Sequence, residues 1–494
     1  MRVTRRRALG VVGVLPLALA ARPTWHVWRA YQEDEHLSPL SPPRGAQDAS
    51  FLNTGSGELL NPTGAVEEVE SSVRAALALA REKRLRVSVA GARHTMGGHT
   101  RTANGLQLDL SSLAGMQLEP SGDVIRVQSG ARFWQLLSFL DRLGASVAVM
   151  QSNSDFSIGG SLSVNCHGWQ PNSAPIASTV ESVRVMLSDG TVVTASRQEE
   201  RELFSLVLGG YGLFGVILEA RLRVVKNRLL RRVTREIPSN EFASTFAEAS
   251  PRADLAFGRL AVAPSVLMTR ALLTTYEPVP HALLPPLGPT PDSKLVRALF
   301  RGQLDSEYGH ELRWTAERWL GGEGGNAATR NQLLSEPVQI FQNRRRERTD
   351  ILQEYFVPPP RLPEFLARAA RSVEPHLGGL LNVTLRNVLA DLDSALPYAT
   401  AERIGLVFLF DIARTPAADA RLAVLARELT DVALSVGGTY YLPYRLAATP
   451  EQFGRAYPMA RDVFDKKRRY DPAGLFSNEL YERYRGERPR NATP

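Results

Sequence analysis

Hydrophobic positions along this chain switch between two spacings, and the switches divide it into short helices and strands. From Pro62 to Leu85, in PTGAVEEVESSVRAALALAREKRL, apolar residues return every three or four positions. Acids come early in that stretch and bases late, which predicts an amphipathic helix. RVSVAG (86–91) and the alternating GLQLDLSSL (105–113) read as strands. DVIRVQSGARFWQLLSFLDRLG (123–144) reads as a strand, a turn and a helix stopped by Gly144. ESVRVMLSDGTVVTA is a hairpin about Asp189-Gly190, ERELFSLVLGG (200–210) a helix and VILEARLRVV (216–225) a strand. Together these form an α+β block of short elements.

The pattern then changes. Residues 229–440 hold a Pro-rich connector, YEPVPHALLPPLGPTPD, the strands ILQEYFVP, LLNVTLRNVL and IGLVFLFDI, and a long helix, DARLAVLARELTDVALSVGG. That alternation predicts a second α/β domain with an antiparallel sheet. Residues 22–50, rich in Pro, Ser and charge, read as a linker.

Composition changes this picture little. At 494 residues the chain exceeds one ordinary core, and 44% hydrophobic content fits a globular protein. The formal charge is +8, and half of it comes from Arg2, Arg5, Arg6 and Arg7. The remaining basic runs, such as Arg344-Arg345-Arg346, are scattered and read as solvated surface, so no nucleic-acid partner is expected. The basic N-terminus precedes an apolar run from Ala8 to Ala21, too short to span a bilayer comfortably. It reads as a twin-arginine-like signal peptide over 1–21, with export to the periplasm or beyond; an uncleaved signal would anchor the chain to the membrane. With that signal removed no stable membrane span is expected. Cys166 is the single cysteine, so no intrachain disulfide can form.

Three glycine constellations carry candidate chemistry. Gly210-Tyr-Gly212-Leu-Phe-Gly215 matches the dinucleotide pattern GxGxxG, but it follows a helix and opens a strand, the reverse of the required order. Its glycines instead permit a tight turn or a close approach to a ligand. In VAGARHTMGGHT, His94 and His99 are five apart in a loop without a carboxylate between them, which does not suit a metal. Gly91, Gly97 and Gly98 suggest backbone N–H groups facing an anion such as a pyrophosphate, with His94 either the loop's nucleophile or a hydrogen-bonding loop histidine. SIGGSLSVNCHG (157–168) has little side-chain bulk, and a flat cofactor could lie against it.

Together these segments resemble the vanillyl-alcohol oxidase family, whose FAD domain is also called the para-cresol methylhydroxylase type. GARHTMGG resembles its pyrophosphate loop, SIGGSLSVNCHG its second glycine segment, GGYGLFGVILEARLRV the segment closing the FAD domain, and KKRRYDPAGLFSN its ending. The resemblance implies an α+β fold with a two-part FAD-binding domain and a cap domain. The expected divisions are signal 1–21, linker 22–50, FAD-binding domain 51–228, cap 229–440, a return to the FAD domain over 441–484, and a tail 485–494. It implies cofactor contacts from Gly91, Ala92, Arg93, His94, Thr95, Met96, Gly97 and Gly98; from Ser157, Ile158, Gly159, Gly160, Ser163, Asn165, Cys166, His167 and Gly168; and from Gly215, Val216, Ile217 and Asn478. His94 aligns with the histidine that many members bond covalently to the flavin. Members with a second tether have a cysteine near Asp155, so a single tether is expected here.

The strands LLNVTLRNVL and ILQEYFVP and the segment TYYLPYR are similar to the carbohydrate-oxidising branch, which acts on aldonolactones and alditols. That branch implies hydride transfer from an alcohol carbon of a polyol, sugar or sugar lactone to flavin N5, with an electron acceptor the sequence does not identify. Arg386 matches an arginine near the flavin, although Thr384 stands where relatives carry glutamate. Arg386 or Arg445 would offset charge on the reduced flavin. Glu354, Tyr355 and Tyr444 are candidates for contacting substrate hydroxyls. Cys166, bulkier than the small residue that favours oxygen access, points to a dehydrogenase more than an oxidase. A phenolic or amine substrate, or a flavin-binding protein with weak catalysis, are the other readings.

Overall fold

The computed structural model describes residues 21–486 apart from 42, 46, 54–56, 290–293 and 321–326. Nearly all of the expected signal 1–21, and the tail 485–494 beyond its first two residues, lie outside the described residues. No helix among them is long and apolar enough to cross a membrane.

The fold is mixed α+β, built on three sheets. A parallel sheet of three strands runs in the order Glu58–Leu60, Leu106–Asp109, Val87–Ala90. The helix Val66–Glu82 covers it with Val69, Val73, Ala76, Leu77 and Ala80, the buried stripe that the 3.6-residue period demands. Leu475 and Ser477, near the end of the chain, bond to Val87 and add a last extended segment to this sheet. A second sheet orders Met116–Leu118, Val124–Gln128, Val216–Lys226, Val180–Met186 and Val192–Ser196, with Ala145–Val147 also on the long strand. Across Asn227 and Arg228 the chain passes into the third sheet.

The third sheet has eight antiparallel strands: Ala328–Thr329, Leu229–Pro238, Arg270–Pro278, Leu255–Leu260, Leu380–Val388, Arg403–Ala413, Arg348–Val357 and Thr439–Tyr440. One face packs on the helices Leu362–Val373 and Pro416–Ser435, whose buried residues include Phe365, Leu366, Leu425 and Leu429. The other face looks onto the cavity described below.

Two segments differ from their expected form. Residues 22–50 are not a bare linker, because residues 21–35 form a helix. Its ties lie far away in sequence: the buried Arg297 donates to Asp34 at 2.5 Å, Arg345 pairs with Glu33 at 3.0 Å, and His26 Nε2 bonds with the Gly302 carbonyl oxygen at 2.7 Å. Local pattern cannot show such partners. The segment 157–168 is not loop throughout, since Ile158–Ser163 is a short helix.

Candidate active site

A cavity of about 630 Å³ lies between the glycine segments and the antiparallel sheet. Gly91 to Met96 form part of its wall, at the C-terminal end of strand Val87–Ala90, before the chain crosses to its parallel neighbour. Arg93 sits at φ +57° and pairs with Asp109 at 2.7 Å, both side chains buried. The backbone N–H groups of Arg93, His94 and Thr95 have no protein acceptor among the described residues. Thr95 Oγ1 is likewise buried without a partner.

The loop is held from behind. Asp48 Oδ2 accepts from Gly98 N–H at 2.9 Å, Ala49 N–H reaches the Arg93 and Thr95 carbonyls at 3.0 and 3.1 Å, and Met96 N–H reaches the Pro443 carbonyl at 2.8 Å. Gly97 and Gly98 thus face this support, outside the cavity lining. A Cβ on Gly97 would meet the Tyr444 carbonyl oxygen at 2.5 Å.

The half-buried ring of His94 lines the cavity and stacks on Phe156 at 4.2 Å and 17°. Burial, assisted by the Arg132 charge, lowers its pKa to about 3 against a hydrogen bond with the Asp155 backbone, so the imidazole is neutral. Asp155 itself turns away and accepts from Val338 N–H at 2.5 Å.

Ser157 joins the two glycine segments. Its Oγ accepts from Ala92 N–H at 3.2 Å, in contact with the place a Cβ on Gly91 would occupy. Gly159 packs against Ser129, where a Cβ would come within 2.8 Å of Ser129 Cβ. Ser157, Gly159, Gly160, Ser163, Cys166 and His167 line the cavity. Ile158, Asn165 and Gly168 point into the core behind them; Asn165 bonds Asp391 at 2.8 Å. Burial pushes the Cys166 thiol up to about 12. From the closing strand, Gly215 and Ile217 line the cavity and Val216 faces the opposite core. Gly215, at φ +145°, lies so close to Val185 and Met186 that a side chain has no room. Asn478 caps the last helix and donates to the Tyr211 carbonyl at 2.8 Å, away from the lining.

The sheet floor follows from strand alternation. Leu352 and Glu354 face the cavity, as do Thr384 and Arg386. Tyr355, one residue on from Glu354, must face the other way. It is buried between Phe365 and Phe408, with its hydroxyl on the Ala426 carbonyl at 3.2 Å, so it is a core residue and not a hydroxyl contact. Arg445 also leaves the site: it pairs with Asp419 and donates to Asn53 and the Met96 carbonyl, bracing the first loop.

Glu354, His167, Tyr444 and Arg386 come together. Glu354 Oε1 is 2.9 Å from His167 Nε2, and Oε2 accepts from the Tyr444 hydroxyl at 3.4 Å. The first contact joins the two side chains, and His167 Nδ1 keeps unused bonding capacity. Burial acts to raise Glu354, but His167, Arg386 and Tyr444 outweigh it and hold the carboxyl below its ordinary range. Burial and the neighbouring Glu354 push the Tyr444 hydroxyl well above its ordinary value. Arg386 donates to Ser152 Oγ at 2.6 Å and has no carboxylate partner within ion-pair distance among the described residues.

Several lining residues carry no local signal in the sequence. Arg259, Asn382 and Glu336 reach the cavity from separate elements, and only Trp169, next to Gly168, adjoins a recognisable motif.

The residues present fit a dinucleotide cofactor. Thr95 Oγ1, Ser129 Oγ and His167 Nδ1 are buried and unpartnered around the cavity. Buried polar groups normally have partners, so a polar ligand belongs among them. The free N–H groups of 93–95 suit a pyrophosphate.

Comparison with known proteins agrees. Residues 66–196 match the family model of an FAD binding domain, and both glycine segments fall inside the match. A 193-residue stretch is 26% identical to cytokinin dehydrogenase 9 of Oryza sativa subsp. japonica, covering 38% of this chain and 37% of that protein. The putative D-arabinono-1,4-lactone oxidase of Neurospora crassa is 28% identical over 169 residues, 34% of this chain and 30% of the relative. The D-arabinono-1,4-lactone oxidase of Yarrowia lipolytica is 30% identical over 164 residues, 32% of this chain and 30% of the relative. The chain thus spans about a third of the length of these curated relatives. The matched domain names the cofactor as FAD.

Proposed function

We propose that this protein is an exported FAD-dependent oxidoreductase that oxidises an alcohol group of a polyol, sugar or sugar lactone. The observation that carries the reading is the Glu354–His167–Tyr444–Arg386 cluster in the wall of the same cavity that the glycine segments line. FAD bound there supplies the hydride acceptor.

The chain's own residues supply the rest. The ionised Glu354 carboxylate, with His167 beside it, is the general base that takes the hydroxyl proton. The neutral Tyr444 hydroxyl orients the substrate oxygen. The Arg386 guanidinium offsets negative charge that develops in the cavity. His94, uncharged and with a ring nitrogen available, is the point of covalent attachment. The bulk of Cys166 against the cavity favours dehydrogenase over oxidase behaviour, and the electron acceptor is a separate partner. The basic, then apolar, N-terminus supports export. The two lactone oxidases among the similar proteins support the donor class.

A second reading, a planar or amine donor, draws on the stacked Trp169 and Phe257 in the lining and on the cytokinin dehydrogenase similarity. Anaerobic mixing of purified protein with polyols, aldonolactones, phenols and amines decides between them. Loss of the flavin's visible absorbance with polyols or lactones supports the proposal. Bleaching only by phenols or amines, or by nothing, defeats it.

A further inference from the structure

The cavity continues beyond the Glu354 cluster. Across its floor the strand register sets Glu354 opposite Val407, Val407 opposite Thr384, and Thr384 opposite Arg259. Three interstrand spacings of ~4.8 Å put about 14 Å between the first and last of these positions. At the far end Trp169 stacks on Phe257, ring centroids 4.8 Å apart at 28°. The indole Nε1 is buried and has no partner. Arg259 hydrogen-bonds the Asn382 side-chain oxygen beside this pair. Glu336 completes the end: it lines the cavity and feels the Arg259 charge. Burial raises its pKa above the ordinary value, against that charge.

We propose that this far end is a subsite for a second sugar ring, so that the substrate is a glycosylated polyol or lactone and not a free monosaccharide derivative. The inference rests on the polyol reading above and names its substrate class. An indole offers an apolar plate for the C–H face of a sugar ring. The groups around it, the indole N–H, Glu336 and Asn382 with Arg259, offer donors and acceptors at the rim for hydroxyls. A bare aromatic ligand would use the plate and leave the indole N–H buried without a partner, which is unfavourable.

The test uses the flavin-loaded enzyme and compares sorbitol with maltitol and cellobiitol, the same polyol carrying an α- or β-linked glucosyl ring. The reading is the concentration that half-saturates anaerobic flavin bleaching, with flavin-absorbance perturbation as the reading where no bleaching occurs. The better glycosylated probe is expected to half-saturate at a concentration about tenfold lower than sorbitol. That ratio should fall towards one in Trp169→Ala and in the nearly isosteric Glu336→Gln, and persist in Trp169→Phe. A ratio near one in the unmodified enzyme overturns the subsite. So does a ratio that survives both substitutions, or a benzyl ether of sorbitol that equals the glycosylated probe. Tight binding of the glycosylated probe without bleaching would uphold the subsite while defeating alcohol oxidation. Absence of both binding and bleaching by the glycosylated probes defeats the subsite, even if simple lactones bleach the flavin.

Discussion

His167 Nε2 stands 2.9 Å from Glu354 Oε1, with the two side chains 4% and 0% exposed. A buried carboxylate beside an imidazole is held ionised by its neighbours, and here Arg386 and Tyr444 complete the set. Such a group is costly to keep, and at neutral pH it is present as the proton-accepting carboxylate.

Glu354→Gln should therefore lower the rate of flavin bleaching by about 10²- to 10⁴-fold while leaving the flavin content of the purified protein intact. The carboxyl's folded pKa is depressed, so its contribution is present above the ordinary value of 4.5 and is lost only as pH falls below it. The bleaching rate should show no loss from this group between pH 5 and pH 8. Stopped-flow bleaching across that range checks both statements.

Tyr355→Phe should behave in the opposite way. Its hydroxyl bonds the Ala426 carbonyl and Thr430 in the core, so removing it should cost about 1 kcal/mol of stability and leave bleaching unchanged. Denaturant unfolding and bleaching kinetics on the same preparation separate the two effects.

Asp48 positions the first glycine segment through Gly98 and the adjacent Ser50 and Asn53. Asp48→Ala removes the hydrogen bonds of a buried carboxyl, each worth about 1 kcal/mol. It should purify with less flavin per protein than the parent. A chain starting at residue 22 should retain full flavin, and one starting at residue 54 should not. The ratio of visible to ultraviolet absorbance reads each case.

Burial holds His99 neutral, with its pKa lowered to about 3 from the ordinary 6.5. The unfolded chain therefore binds a proton there that the folded chain refuses. Stability falls as pH drops from about 6.5 towards 3, by at most about 1.4 kcal/mol per pH unit from this group. His99→Gln should flatten the pH dependence of unfolding by that slope. An unchanged slope would show that the ring protonates in place.

What could be read in the chain follows the range of the interactions involved. The strands and helices came from local spacing, and the inverted order around Gly210, Gly212 and Gly215 correctly spoke against a nucleotide turn of the usual kind. The two glycine segments could be recognised separately because each is a short run. That Ser157 would touch the Gly91 position is a tertiary fact. Glu354 and Tyr355 were both candidates until the strand was placed, after which alternation admits one of them to the cavity. The helix over residues 21–35 is charged and short of a continuous apolar stripe, and it is held by Arg297, Gly302 and Arg345. No window of neighbouring residues contains those partners. Arg259, Glu336 and Asn382 were invisible for the same reason.

The most direct test of the cofactor site is flavin fluorescence in the protein band after acid denaturation and a denaturing gel, beside the visible spectrum of the native protein. The account predicts a yellow protein whose band fluoresces, with the band fluorescence lost in His94→Ala. A yellow protein that releases all its flavin would keep the FAD site and remove the tether. A colourless protein that cannot be reconstituted with FAD would contradict the account.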